Sequence, residues 1–406
     1  MERLVNVHHN LIGLKKLTAF DQLRENMQKF QALQVKEENK EENKEEEILI
    51  SSFVNKPAIS TYYTPNQLQT AYGMNLIPHS TPLGSGITVA VVIAYSYNKL
   101  QNDLNSYCNR YGLPLTTLTI YNMNNSPNSS NTAFTTKNPD WALECCLDIQ
   151  MIHTMAPGAS ILVVQAVSAS FNDLNNAISY ANNHADIISM SWGASESPSD
   201  SSEEIYFSNP HICYLASSGD DNYVSYPSSS PHVLSVGGTT LFLNSNGTRS
   251  SEETWSYSGC GSSKIFRCPI YQNGVVSNSY RCIPDISLCG NPSSGVVVYC
   301  SQYGGWFVVG GSSLSCPLTA GILAVANQFR KLANKPLLNT TQISQSGHVQ
   351  TFFYKTLYSN KNLYSQNFYD VKKGLDGAFV SKTGYDIATG LGSINANYLC
   401  QSLLNA

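Results

Sequence analysis

Charge is what this 406-residue chain has least of: Asp, Glu, Lys and Arg make up 13% of it, about half the usual share. The formal net charge of -4 is carried by one run, KEENKEENKEEE at residues 36–47, with seven Glu and three Lys, and the remainder sums to zero. With no basic excess to neutralise phosphates, the chain is not expected to bind nucleic acid. Nor do 18 apolar residues run together anywhere, so no membrane insertion is expected. The N-terminal MERLVNVHHNLIGLKKLTAFDQLRENMQKF has no apolar stretch of signal-peptide length. No CxxC pair occurs, which argues against a zinc ribbon.

Ser, Asn, Thr and Tyr replace the missing charge and give a polar surface whose charge changes little with pH, as suits a protein working in acid. Eleven cysteines are present, five of them between 260 and 300 in loop-like sequence. That density is more usual where disulfides persist, and the odd total leaves at least one unpaired. The cysteines favour an oxidising, extracellular setting, no secretory address is recognisable, and the compartment stays open.

The chain divides into three zones. In residues 1–35, Leu14, Leu17, Leu23, Met27, Phe30 and Leu33 recur at near-helical spacing and predict one amphipathic helix over 10–34. Residues 36–55 read as a charged linker. Residues 56–406 read as one globular domain, in which apolar β-branched runs such as ITVAVVIAY (87–95) and ASILVVQAV (159–167) alternate with helical stretches. This alternation predicts an α/β fold with a mainly parallel central sheet, whose chemistry gathers at the carboxyl ends of the strands.

Three segments carry candidate chemistry. PDWALECCLDIQMIHTMAPGA predicts a helix with Asp140 available to open it and Pro157 to stop it; Glu144 and Asp148 then lie one turn apart on one face. The rest of that helix is apolar all round, so the two acids need partners, and like charges held close push one pKa up. CYLASSGDDNYVSYP places Asp220 just past a strand end, where a turn Asp bonding its own backbone is the plainer reading. VVGGSSLSCPLTAG puts three serines, a Gly doublet and Pro317 at a strand-to-helix junction. Capping is the plain reading there; the alternative is a nucleophile beside helix N–H groups that can bind an oxyanion.

These motifs, in this order, resemble the sedolisins, serine-carboxyl peptidases related in fold to subtilisin. The resemblance runs from YYTPNQLQTAYG (62–73) to TGYDIATGLGS (383–393), and it implies a three-layer subtilisin-like fold. GSSLSCP is similar to the family's Gly-Thr-Ser-Ala-Ser-Ala-Pro, which makes Ser313 the nucleophile; Ser312, Leu314 and Cys316 replace Thr and two Ala, and the larger side chains would alter a neighbouring subsite. Glu144 is implied as base, Asp148 as its partner and Asp220 as the oxyanion group, while ISMSWG places Trp192 beside the carboxylates. A subtilisin proper is disfavoured, since no His-Gly-Thr-His occurs. NFYDVKKG and KTGYDIATG imply one structural Ca2+ held by Asp370 and Asp386 carboxylates and by the carbonyls of Val371, Lys382 and Gly384, a hard oxygen set.

The resemblance implies an acid-active endopeptidase or tripeptidyl-peptidase with peptide or protein substrates, acting as a monomer. Two rivals stand beside it: a catalytically inactive module that keeps the fold, and an esterase using the same acyl chemistry. The short N-terminal extension stands where the family carries a long folded pro-segment.

Overall fold

The computed structural model describes residues 6–7, 62–124 and 138–406 of the chain. The predicted helix over 10–34 and the charged linker lie outside these residues.

The fold is built on an eight-stranded sheet. Seven strands run β10–β9–β7–β5–β2–β4–β3 in spatial order, namely Arg249–Thr254, Leu234–Leu243, Cys213–Ser217, Ile187–Met190, Thr88–Ala94, Ser160–Ala166 and Thr119–Asn122; β13 (Ile286–Cys289) also pairs with β9. All pairings are parallel except β10 on β9. Strands β2, β5 and β7 are buried along almost their whole length, which is why their sequences are continuous apolar runs. A second, small sheet joins β1 (Asn6–Val7), β6 (Trp192–Ser195) and β8 (Ser225–Tyr226). Two hairpins, β11–β12 (Gly261–Arg267, Tyr280–Ile283) and β14–β15 (Val296–Cys300, Gly305–Val309), were not foreshadowed by any strand alternation.

Five helices matter for the site: α1 (Pro65–Tyr72), α2 (Leu100–Tyr111), α3 (Pro139–Met155), α4 (Phe171–Ala181) and α5 (Ser312–Leu332). Helix α4 packs on β2 and β4, while α3 and α5 pack on the sheet and on each other. Helix α3 is buried at every position from Trp141 to Met155, as a helix apolar all round must be. Its approach to α5 needs glycine at 321, because a Cβ there would lie 2.7 Å from Met155 Cβ and 3.1 Å from the Ile152 carbonyl oxygen. Under β9, the buried Arg281 guanidinium grips Asp285 at 2.7 and 2.6 Å, and Asp285 in turn accepts the Ser235 N–H at 2.9 Å. This bidentate ion pair ties the RCIPDIS segment to the sheet.

All eleven cysteines are free thiols, ten buried and Cys268 half-buried. Their density reflects use as small core side chains. Among the described residues no helix is long and apolar enough to cross a membrane.

Candidate active site

Helix α3 opens on Pro139 with Asn138 as its cap, not Asp140: the Asn138 side chain accepts the Asp140 N–H at 3.1 Å. Glu144 and Asp148 follow, both fully buried. Asp148 Oδ1 accepts the Ser191 hydroxyl at 2.6 Å. Burial holds the Asp148 carboxyl well above the usual range, the adjacent Glu144 raises it further, and the Ser191 hydrogen bond offsets only part of this. Two carboxyls in this relation bind protons as a pair.

Ser191 is the residue that sequence reasoning missed. The apolar run ADIISMSWG breaks there: β5 ends at Met190 inside the large sheet, and β6 starts at Trp192 in the small one. Standing between two ladders, Ser191 gives its hydroxyl to Asp148 while its carbonyl accepts Ser313 Oγ at 3.3 Å. One residue thus joins the serine to the acid pair. Trp192 is anchored differently, its indole N–H donating to the Val92 carbonyl at 2.8 Å.

Ser313 sits in the first turn of α5, where the leading N–H groups have no intrahelical acceptor. The helix begins at Ser312 rather than at Pro317. Gly311, at φ +119°, turns the chain into it, and Pro317 supplies no N–H for the Ser313 carbonyl. Gly310 is crowded by its own fold rather than by a guest: a Cβ there would meet Pro292 at 2.5 Å. Leu314 and Cys316 are fully buried in the core. Burial pushes the Cys316 thiol up to about 12, with Asp148 and Glu144 adding to the rise. The α5 face at 316 therefore lies against the acid pair.

Asp220 bonds across to the start of α5. Its Oδ1 accepts the Ser312 N–H at 2.8 Å and the Ser312 hydroxyl at 2.7 Å, and the Gly219 N–H contacts the same hydroxyl at 3.1 Å. A carboxyl from the end of β7 is thereby fixed at the α5 N-terminus, one residue from Ser313. Glu144, Asp148, Asp220 and Ser313 are brought to one place.

The edge of β6 beside this cluster already carries an extended strand. Asn6 lies opposite Gly193 and Val7 opposite Trp192, antiparallel. The register runs with rising residue number toward Ser191.

A second acidic locus lies apart from these residues. Asp370 Oδ1 accepts the Gly384 N–H at 3.0 Å and the Tyr364 hydroxyl at 3.2 Å, and Lys372 Nζ stands 3.4 Å from Oδ2. Asp386 accepts the Lys382 N–H at 3.0 Å and the Thr389 N–H at 2.8 Å. Burial raises the Asp386 carboxyl, its backbone partners offset part of that, and the charge of Asp370 adds to it. Asp370, Lys382, Gly384 and Asp386 are gathered together, with Val371 next along the chain from Asp370.

The subtilase family model matches residues 91–351. Sedolisin from Pseudomonas sp. is 28% identical over 381 residues, covering 82% of this chain and 60% of that protein. Kumamolisin from Bacillus sp. is 29% identical over 309 residues, covering 66% of this chain and 51% of that one. The chain thus spans only about half to three-fifths of these relatives. The solved structure of Pseudomonas sedolisin, a serine-carboxyl proteinase complexed with two molecules of pseudo-iodotyrostatin, superposes with a TM-score of 0.71 at 26% identity, covering 84% of this chain and 98% of that one. By family model, sequence and fold together, the chain belongs to the subtilase family, in its sedolisin branch.

Proposed function

We propose that this chain is a serine-carboxyl peptidase that hydrolyses peptide or protein substrates in acid, as an endopeptidase or tripeptidyl-peptidase. The observation that carries the reading is Ser191, which touches Ser313 through its carbonyl and Asp148 through its hydroxyl. Glu144 takes the Ser313 proton as the hydroxyl attacks the peptide carbonyl, and Asp148 shares the proton load of the pair. The Ser313 N–H and a protonated Asp220 carboxyl meet the oxyanion. The proton then passes from Glu144 to the departing amine, and water repeats the sequence on the acyl-enzyme.

Acid operation follows from the same chemistry, since Asp220 donates only when protonated. It agrees with the buried carboxyls of Asp148 and Asp386, both held above their usual range. The β6 edge supplies the substrate strand by antiparallel pairing, the mode in which Asn6 and Val7 occupy it. The chain's own N-terminal segment therefore competes with substrate.

The residues of the second acidic locus fit a calcium ion. The charge of Asp370 reaches the Asp386 carboxyl, the donors are hard oxygens, and a lysine ammonium stands against Asp370 where positive charge is wanted. Asp370 and Asp386, with the carbonyls of Val371, Lys382 and Gly384, would hold it, and its contribution would be structural.

The test is peptide hydrolysis by the purified chain from pH 3 to 8. Activity should peak in acid and vanish in Ser313→Ala with folding intact. A neutral or alkaline optimum, or turnover by Ser313→Ala, would remove this assignment of roles.

A further inference from the structure

One cluster of reactive side chains takes no part in the proposed chemistry. Asp103 on α2, Cys146 on α3 and Cys300 at the end of β14 come from three separate elements, and one donor atom from each lies within 4.8 Å of the others. All three are buried. The Cys146 thiol points at Asp103 Oδ2 across 3.7 Å, and the Cys300 sulfur lies within 4.8 Å of both. The Tyr97 hydroxyl and the Ser301 N–H complete the surroundings of Oδ2, at 2.6 and 3.0 Å.

These separations are those of a tetrahedral metal centre before the metal enters. With bonds of about 2.3 Å to sulfur and about 2.0–2.2 Å to oxygen, Zn2+ sets its sulfur and oxygen donors about 3.5–3.7 Å apart and its two sulfurs about 3.8 Å apart. The observed 3.7 Å already matches the first edge. From the 4.8 Å limit, the second needs the sulfurs to close by about 1 Å or less. Thiolate, thiolate and carboxylate suit a thiophilic divalent ion and disfavour Ca2+ or Mg2+. The chain surfaces immediately beyond Cys300, with Ser301 half-buried and Gln302 exposed, so the cluster lies close beneath the surface.

We infer that Asp103, Cys146 and Cys300 form a binding site for one thiophilic divalent cation of the Zn2+ class, which clasps α2 and the β14–β15 hairpin to the helix of the acid pair. The inference does not depend on the peptidase reading. Binding releases both thiol protons to solvent. Affinity therefore falls steeply with acidity, by about a hundredfold per pH unit while both thiols are protonated in the free protein.

The experiment titrates Zn2+ alone into the full-length, reduced, metal-free chain. The expected result is one ion per chain at neutral pH, two protons released per ion, and at least a tenfold loss of affinity in Cys146→Ala and Cys300→Ala. Cys268→Ala, which alters the half-buried thiol elsewhere, should bind as the parent does. If the site variants do not fold, the proton count on the parent chain still decides. No stoichiometric binding, release of fewer than two protons, unchanged affinity in Cys300→Ala, or a Cys146–Cys300 disulfide in the purified chain with no Zn2+ uptake after reduction would each overturn the site.

Discussion

Asp376 offers a direct measurement of how far this fold leans toward acid. Its side chain is buried in the short hairpin around 375–380, and neither carboxylate oxygen finds a hydrogen-bond partner among the described residues. Burial pushes the carboxyl from an ordinary 3.8 up to about 7, and the adjacent Cys260 thiol offsets only part of that. The sign follows from proton binding. Below about pH 4 the group is protonated whether the chain is folded or not. Between about 4 and 7 the unfolded chain gives up its proton while the folded one keeps it, so stability falls; above 7 the loss is complete. At 1.36 kcal/mol per pH unit, the span amounts to at most about 4 kcal/mol. Asp376→Asn removes the ionisation and keeps the shape. Urea unfolding of both chains, in a Ser313→Ala background to prevent self-digestion, should give equal stability at pH 4. By pH 8 the Asn variant should lead by up to about 4 kcal/mol. A difference that stays flat from pH 4 to 8 would refute the argument.

Three further outcomes follow from the site. Ser191→Ala removes the hydroxyl that lowers the Asp148 carboxyl, so the alkaline limb of the activity profile should move to higher pH and kcat should fall by about tenfold to a hundredfold; an unmoved limb would show that Ser191 does not tune the pair. Val7→Pro, which cannot donate to the β6 ladder, or deletion of residues 1–10, should lower KM with little change in kcat, whereas an unchanged KM would mean the segment does not compete for the cleft. Chelation by EDTA should lower the melting temperature and Ca2+ should restore it, but not in Asp386→Asn; equal melting with and without chelator would dispose of the calcium assignment.

Much of the framework was legible because burial writes itself into composition. Helix α3 could be read from a run that is apolar on every side yet carries two acids one turn apart, and β2 and β4 from their β-branched runs. Ser191 was not legible, since its function arises from a strand that changes sheets and joins residues 43 positions before and 122 positions after it. The exact start of α5 within VVGGSSLSCPLTAG is not legible either, since Pro317 is a strong local signal while the true start at Ser312 depends on Gly311 and on Asp220 arriving from β7. Cysteine density suggested disulfides, but whether thiols pair or pack is settled by side-chain approach, which spacing does not reveal.

Gly321 lies eight residues beyond Ser313 on α5, about 12 Å along the axis at 1.5 Å per residue. A single methyl placed there acts as a wedge between two rods, prising apart the helix that carries Ser313 and the helix that carries Glu144 and Asp148. The spacing between the α5 serine and the acid pair is therefore set from afar by the absence of one carbon atom.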